Sequence, residues 1–203
     1  MMLDLSDRLV VIIGGGAVAA RKARGAIDAG ATVRCISPSF CEQVPATVVR
    51  ITDRYQPQHL DGATLVFAAT DQPDVNSNVV RDARSRSILV CRADNDESDP
   101  GDFYTPALHV QGDVAVSVSA GSAALSAMIR DRLSAAISPA WIEMARAMRE
   151  IRPRVKSAGL PADARRQVFR DLATDQALDV VQRSGTEGLN RWLAARYPEL
   201  DHV

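Results

Sequence analysis

The feature that most constrains the fold of this chain is an apolar run that ends in three consecutive glycines. Leu9–Ile13 are all apolar, Gly14, Gly15 and Gly16 follow, and residues 17–29 favour a helix. In such a strand–glycine–helix unit, glycines permit a tight turn and a close backbone approach to phosphate, and the helix N-terminus offers free N–H groups. The pattern therefore predicts a Rossmann-like unit that binds a pyrophosphate. A strand-to-helix turn without a ligand is the alternative.

Further apolar runs along the first half of the chain favour a parallel sheet. They are continuous rather than alternating, as expected of strands that are buried on both faces. Helical stretches at residues 17–29 and 74–85 lie between some of them, which is typical of an α/β fold. The predicted strands are Leu9–Ile13, Thr32–Ile36, and residues 47–51, 64–68 and 88–92.

After Asp94 the pattern changes to a hairpin followed by helices. Two strand-like runs at residues 103–110 and 114–119 flank Gln111-Gly112-Asp113, and this turn signal predicts a β-hairpin. From Ser122 onward the sequence favours helices. The residues expected to punctuate these helices are Pro139, Pro153, Pro161, Gly159 and Gly185.

Composition and charge argue against several classes of protein. The chain has 203 residues, of which 46% are hydrophobic and 4% aromatic, with a net charge of −1. This composition suits a packed core and favours neither a nucleic-acid nor a membrane partner. The three cysteines fit no metal or disulfide spacing, so we expect reduced thiols, no metal site and a cytoplasmic protein. No apolar run reaches the ~18 residues that cross a bilayer, and Asp4 and Asp7 argue against a signal peptide.

Two segments carry concentrated charge. Residues 140–170 hold seven Arg and one Lys against Glu143, Glu150 and Asp163, a local balance of 8 − 3 = +5. This basic segment is either a solvated helical face or a surface for an acidic ligand. Residues 94–102 hold five acids, but a calcium loop starting at Asp94 would lack its glycine at the sixth position and would have Thr105 in place of the final glutamate. We therefore expect a solvated loop, with transient attraction of ferrous iron as the alternative.

Several motifs resemble the siroheme synthase N-terminal family. The family's GGG-x-VA-x-RK motif is complete at residues 14–22, and its ATD segment followed by VN lies at residues 69–76. Its strand ending N-V-x-D corresponds to residues 91–94. Only part of its S-[ST]-x-G-x-SP segment remains, within residues 119–130. The resemblance covers nearly the whole chain, from about residue 5 to residue 197.

The resemblance implies an NAD-dependent enzyme that oxidises precorrin-2 to sirohydrochlorin. Some members of the family also insert ferrous iron. It implies a Rossmann domain, a dimerisation hairpin with its helix, and a small all-helical C-terminal domain, hence a homodimer. On this basis the chain divides into residues 1–110, 111–138 and 139–203. The implied substrate is a tetrapyrrole with eight carboxylates.

The predicted cofactor site follows three strand ends. The glycine turn and the first N–H groups of the helix should bind the pyrophosphate, and Ser37 replaces the acid that usually binds the ribose. No Arg directly follows Ser37-Pro38 to hold a 2′-phosphate, which favours NAD over NADP. Asp71 and Asn76 are interpreted as a helix cap and a helix-surface residue, with direct contact to the cofactor as the alternative. The predicted cofactor residues are Gly14, Gly15, Gly16, Ala17, Val18, Ser37, Pro38, Ala68, Ala69 and Thr70.

Asp94 is the predicted catalytic residue, because it matches the family Asp that is thought to act as general acid or base. Its carboxylate would accept the protons that oxidation or metal insertion releases. A loop-capping role is the alternative. Arginine suits substrate carboxylates, and a helix that opens after Gly121 can bind an anion. The predicted substrate residues are Arg92, Ser119, Gly121, Ser122 and Arg130.

Two other functions remain open at this point. The first is a family paralogue that acts on another tetrapyrrole or only as a chelatase, which the shortened segment at residues 119–125 favours. The second is a non-catalytic NAD-binding regulatory module similar to potassium-channel NAD-sensing domains. Arg21-Lys22 after the glycine turn and Asp94 after the fifth strand argue against this module.

Overall fold

Five short strands form one parallel sheet in the computed structural model, which describes residues 3–94 and 99–200. The order across the sheet is β3-β2-β1-β4-β5. This arrangement confirms the predicted α/β class with a Rossmann-like parallel sheet. The strands are β1 Leu9–Ile13, β2 Thr32–Ile36, β3 Val49–Ile51, β4 Leu65–Ala68 and β5 Leu89–Arg92.

Two helices cover opposite faces of this sheet. Helix α1 spans Ala17–Asp28 and helix α2 spans Pro73–Ser85. Val10 and Ile12 of β1 pack in one cluster with the alanines of α1, whereas Val11 and Ile13 pack in another with Val79, Val80 and Ala83 of α2. Burial on both faces explains why the first strand is a continuous apolar run. Each such fully buried side chain contributes roughly 1.5–3 kcal/mol.

The strand limits differ from the predicted ones by a few residues. Strands β3, β4 and β5 begin at Val49, Leu65 and Leu89, one or two residues later than predicted. The hairpin strand predicted from residue 103 begins only at Ala107. Pro106 has no N–H to donate, and the ring of Phe103 packs on Phe67 with centroids 5.5 Å apart.

The chain divides into two compact units, Met1–Thr105 and Pro106–Val203. The second unit begins with the predicted hairpin, formed by β6 Ala107–Gln111 and β7 Val114–Val118, against which α3 packs. Helices α4 to α6 share a separate apolar cluster. The finer division at residues 110 and 138 stays a prediction. The helices of this unit are α3 Ala123–Ala135, α4 Pro139–Ser157, α5 Ala162–Leu172 and α6 Asp175–Arg196.

One predicted helix break is wrong. Helix α4 continues through Pro153, although Pro139 does start this helix and Pro161 precedes α5. The buried residues of α4 follow one stripe on both sides of the proline, so the apolar core offsets the lost hydrogen bond. The stripe consists of Met144, Ala147, Ile151 and Val155. Over residues 3–94 and 99–200, no helix has the length and apolar character needed to span a bilayer.

Candidate functional site

The first unit has a topological switch point between β1 and β4. From β1 the sheet continues through β2 on one side and through β4 on the other, so the connections that leave these two strands diverge. In open parallel sheets such a point creates a crevice at the carboxyl ends of the strands, where nucleotides bind. The glycine turn directly follows β1 and therefore lies at this crevice.

The three glycines differ in what a side chain at each position would contact. Gly14 has φ +135°, and an added Cβ would lie 2.3 Å from the carbonyl oxygen of Ala69. A Cβ on Gly15 would lie 2.0 Å from the carbonyl oxygen of Ser39. Gly16 is the N-cap of α1, and a Cβ there would meet no atom within 4 Å. The first two glycines are thus required by the protein's own backbone, whereas the third leaves open space at a helix N-terminus.

A cleft of about 1020 Å³ lies at this turn. Its volume suits a dinucleotide, since ligand pockets usually measure roughly 300–1,000 Å³. Ala68 is the predicted cofactor residue that does not line it, because this side chain is buried within β4. The predicted residues that do line the cleft are Gly14, Gly15, Gly16, Ala17, Val18, Ser37, Pro38, Ala69 and Thr70.

The loop after β3 supplies cleft residues that the sequence interpretation missed. Asp53, Arg54 and Tyr55 all line the cleft. They reach it because β3 pairs with β2, so the carboxyl ends of these strands are neighbours. Within the described chain, the Arg54 side chain is exposed and makes no hydrogen bond or ion pair to another side chain. Arg54 therefore offers a cation for a 2′-phosphate that the residues directly after Ser37 do not supply.

Tyr55 is fixed to the helix on the other side of the cleft. Its hydroxyl donates to Oδ2 of Asp82 on α2 at 2.9 Å. Burial, followed by this hydrogen bond, raises the pKa of the Tyr55 phenol above its ordinary range. A neutral phenol is therefore held at this wall of the cleft at physiological pH.

Asp94 lies beside the cleft, one residue after Ala93, which lines it. Nε of Arg92 donates to Oδ1 of Asp94 at 2.6 Å, and Nδ2 of Asn76 donates to Oδ2 at 2.8 Å. Arg92, predicted to bind the substrate, therefore already faces a carboxylate of the protein itself. Asn76 is fully buried, so its interpretation as a helix-surface residue is wrong.

The remaining predicted substrate residues lie in the second unit. Ser119 and Gly121 are in the exposed turn between β7 and α3. Ser122 is the N-cap of α3, where its Oγ accepts a hydrogen bond from the N–H of Leu125 at 3.2 Å. Arg130 lies further along α3, and its Nε donates to Asp131 at 2.9 Å. The structure thus groups the first three at one helix N-terminus.

Many cations of the basic segment have partners within the second unit. Arg149 forms an ion pair with Asp113 at 2.8 Å, and Arg154 donates to Oδ1 of Asn190 at 3.2 Å. The Arg152 guanidinium lies over the ring of Phe169. These contacts favour the interpretation of the segment as a helical surface over that of an anion-binding surface.

The acidic loop is partly neutralised by Arg84 at the end of α2. Its guanidinium pairs with Asp99 at 2.8 Å and with Asp102 at 3.0 Å. The hydrogen bond from Arg84 lowers the pKa of the Asp99 carboxyl. Asp96 and Glu97 lie outside the described residues. In the part of the chain that the structure describes, no group of three or more His, Cys, Asp or Glu side chains is arranged to hold a metal ion.

Sheet order, glycine turn and cleft together define a dinucleotide-binding protein of the Rossmann class. A family model described as "Putative NAD(P)-binding" matches residues 1–107. The chain therefore belongs to this NAD(P)-binding family.

Curated siroheme synthases are similar to nearly the whole chain. The siroheme synthase of Chromobacterium violaceum is 32% identical over 198 residues, which cover 94% of this chain and 42% of the relative. That of Photorhabdus laumondii is 34% identical over 163 residues, 77% of this chain and 34% of the relative. The predicted resemblance to the siroheme synthase family is confirmed by these relatives. The chain spans less than half of their length.

A solved structure is similar in fold. It is described as SirC, precorrin-2 dehydrogenase, and it matches with a TM-score of 0.75 and 18% identity. The match covers 96% of this chain and 98% of the other. At this identity the likeness establishes the fold alone.

Proposed function

We propose that this protein oxidises precorrin-2 to sirohydrochlorin with NAD as the hydride acceptor. The observation that carries the proposal is a carboxylate tied to the wall of a dinucleotide cleft. Asn76 donates to Asp94 and also accepts hydrogen bonds from Thr70, which lines the cleft. A proton acceptor is thereby held beside the place where a dinucleotide would bind. The siroheme synthase relatives and the fold shared with SirC support the choice of substrate.

The residues around the glycine turn fit the cofactor. The N–H groups of Ala17 and Val18 have no partner within α1 because they belong to its first turn, and Gly16 leaves space for a phosphate oxygen beside them. Ser37 and Ser39 supply hydroxyls at the end of β2 for a ribose. When bound, the nicotinamide accepts the hydride that leaves the substrate.

Asp94 would accept the proton that the oxidation releases. Removal of a hydride from precorrin-2 leaves a cation that must lose one proton to give the neutral product, and a carboxylate near the cleft can accept it. The Asp94 side chain is 18% exposed, so a proton can pass from the substrate to the carboxylate and then to solvent.

The test is anaerobic NADH formation from purified protein, freshly prepared precorrin-2 and NAD. We expect the wild type and Asp99→Asn to form NADH, and a folded Asp94→Asn to lose most of this activity. Asp99 is the matched control because it is an acid of the same acidic segment whose carboxylate is held by Arg84. Bound NAD without NADH formation would contradict the proposal and favour a regulatory module or another tetrapyrrole substrate.

Insertion of ferrous iron stays a prediction from the family resemblance. Gly16→Asp separates it from dehydrogenation, because a carboxylate at the N-terminus of α1 would repel a pyrophosphate. We expect this variant to lose NADH formation. Iron insertion into supplied sirohydrochlorin would persist if the protein is also a chelatase, and its absence in the wild type would contradict that second activity.

We further propose a homodimer formed through the hairpin and α3. Leu108 and Val110 on the outer face of β6 are 51% and 57% exposed, and α3 exposes Leu125, Met128 and Leu133. A two-stranded sheet with an exposed apolar face gains stability from a partner, and a second copy supplies a matching face.

Light scattering during size exclusion tests the dimer. Leu108→Glu should give a monomer at micromolar concentration. Val49→Glu is the control, since Val49 is equally exposed but lies on the edge strand of the other sheet. A monomeric wild type would contradict the proposal.

A further inference from the structure

Both oxygens of the Asp94 carboxylate are held by buried or nearly buried side chains. The first partner is Arg92, whose Nε lies 2.6 Å from Oδ1 and whose side chain is only 3% exposed. The second is Asn76, whose Nδ2 lies 2.8 Å from Oδ2. The carboxylate is thus held by a side chain of β5 and by a side chain of α2, which together fix both of its oxygens.

Arg92 is itself fixed by α2. Its two terminal nitrogens donate to Oγ of Ser77 at 3.2 Å and to the carbonyl oxygen of Pro73 at 3.3 Å. The planar guanidinium is thus oriented at three points before it meets the carboxylate. A cation this deeply buried needs an anionic partner, and Asp94 supplies it.

Asn76 connects the carboxylate to the cofactor cleft. Its Oδ1 accepts the N–H of Thr70 at 3.2 Å and the Thr70 hydroxyl at 2.7 Å, while Nδ2 also donates to the Thr70 carbonyl at 3.0 Å. The N–H of Thr70 fixes which amide atom is the oxygen, so Nδ2 must face Asp94. Cleft wall and carboxylate are therefore joined by a single buried side chain.

We propose that Arg92, together with Asn76, positions Asp94 and holds it as a carboxylate beside the cleft. Arg92 does not bind the substrate under this assignment, because each of its three guanidinium nitrogens already donates to an atom of the protein. The inference rests on the proposed function only for what Asp94 does with a proton. Among the described residues, Asp99 is a charged group near Arg92, and its carboxylate is bonded to Arg84.

The experiment compares Arg92→Met and Arg92→Lys with Arg84→Met. Arg84 is the matched control, since it lies on the same helix as Ser77 and bonds Asp99 and Asp102 rather than Asp94. For each protein, kcat and KM for NAD are measured against pH. The titration of Asp94 is followed in parallel by carbon NMR of carboxyl-labelled aspartate, with the signal assigned through Asp94→Asn.

We expect Arg92→Met to move the acidic limb of the kcat profile, and the NMR midpoint of Asp94, to higher pH by about one unit or more. KM for NAD should change less than about twofold, because Arg92 does not line the cleft. Arg92→Lys should recover much of the shift because it keeps the charge, and Arg84→Met should leave both midpoints in place.

An unchanged Asp94 midpoint in a folded Arg92→Met would overturn the inference. So would an equal shift in Arg84→Met. The NMR arm does not need turnover, so a midpoint that moves in a protein without activity supports the positioning role while the dehydrogenase proposal fails. Loss of activity with a large rise in KM for NAD would instead place Arg92 in cofactor binding.

Discussion

Alanine at Gly14 tests whether the glycine turn is required by the backbone or by the ligand. The new Cβ would lie 2.3 Å from the Ala69 carbonyl oxygen and 2.8 Å from its carbon, in a backbone with φ +135°. The backbone at Gly14 cannot easily move away from Ala69, because hydrogen bonds hold both residues. The Gly14 N–H donates to the Ile36 carbonyl oxygen at 2.9 Å, and the Ala69 N–H donates to the Ile13 carbonyl oxygen at 2.8 Å.

The magnitude follows from these contacts. A left-handed conformation at a non-glycine residue costs about 1–3 kcal/mol. Relief of the overlap breaks at least one of the two hydrogen bonds, at about 1 kcal/mol. Gly14→Ala should therefore lower the free energy of unfolding by roughly 3 kcal/mol. For a unit of this size, that corresponds to a fall in Tm of roughly 10 °C or more.

Gly16→Ala should leave the free energy of unfolding nearly unchanged and should weaken NAD binding. Its Cβ meets no protein atom within 4 Å. The loss of a good N-cap, at about 0.5–1 kcal/mol, is offset by the lower entropy of the unfolded chain, at about 0.4–1 kcal/mol. Stability should stay within about 0.5 kcal/mol of the wild type. The methyl group would occupy the space assigned to a phosphate, so the Kd for NAD should rise about tenfold, equivalent to 1.4 kcal/mol.

Urea unfolding followed by circular dichroism measures the stabilities, and calorimetry measures NAD binding. Tryptophan fluorescence would report on the wrong unit, because Trp141 and Trp192 both follow residue 105. Gly25→Ala is the control, since Gly25 lies exposed in α1 with no atom near its added Cβ. A Gly14→Ala protein as stable as the wild type, or a Gly16→Ala protein with unchanged Kd, would refute the reasoning.

Three further predictions follow from single side chains. Burial raises the pKa of the Cys35 thiol to about 12, so its contribution to stability is complete below about pH 9 and is lost as the pH rises toward 12. Between about pH 8 and 10.5 under reducing conditions, the wild type should lose roughly 2 kcal/mol more than Cys35→Ala, measured by urea unfolding. Arg54→Ala should weaken NADP binding about tenfold in calorimetry and leave NAD binding unchanged; equal effects on both would exclude a 2′-phosphate contact. Asp94→Asn should destabilise the fold by roughly 2 kcal/mol because the buried Arg92 loses its ion pair with Asp94, and the double variant with Arg92→Met should lose less than the sum of the two single changes in urea unfolding.

Local patterns in the sequence were enough to predict the fold class and the turn. The run Leu9–Ile13 is apolar at every position, and this indicated burial on both faces before any neighbour was known. The glycine spacing predicted a turn followed by a helix, and the structure places the predicted cofactor residues, apart from Ala68, around one cleft. Such features depend on residues that are close together in the chain.

Other features depended on contacts between distant segments. Asp53, Arg54 and Tyr55 reach the cleft because β3 pairs with β2, and a strand order cannot be derived from one strand's composition. Pro153 stays helical because the apolar stripe of α4 is buried, which is a tertiary effect that overrides a local preference.

The partners of Asp94 illustrate the same distinction. The sequence indicated the catalytic candidate through its motif, but it suggested that Arg92 would bind the substrate and that Asn76 would face solvent. Arg92 lies only two residues before Asp94, but the packing of α2 beside β5 is what brings Asn76 onto the carboxylate and fixes the Arg92 guanidinium. Local propensity determined which elements form and where the glycine turn lies. Tertiary structure decided which charges are buried together, because the cost of burying a charge depends on partners that lie far away in the chain.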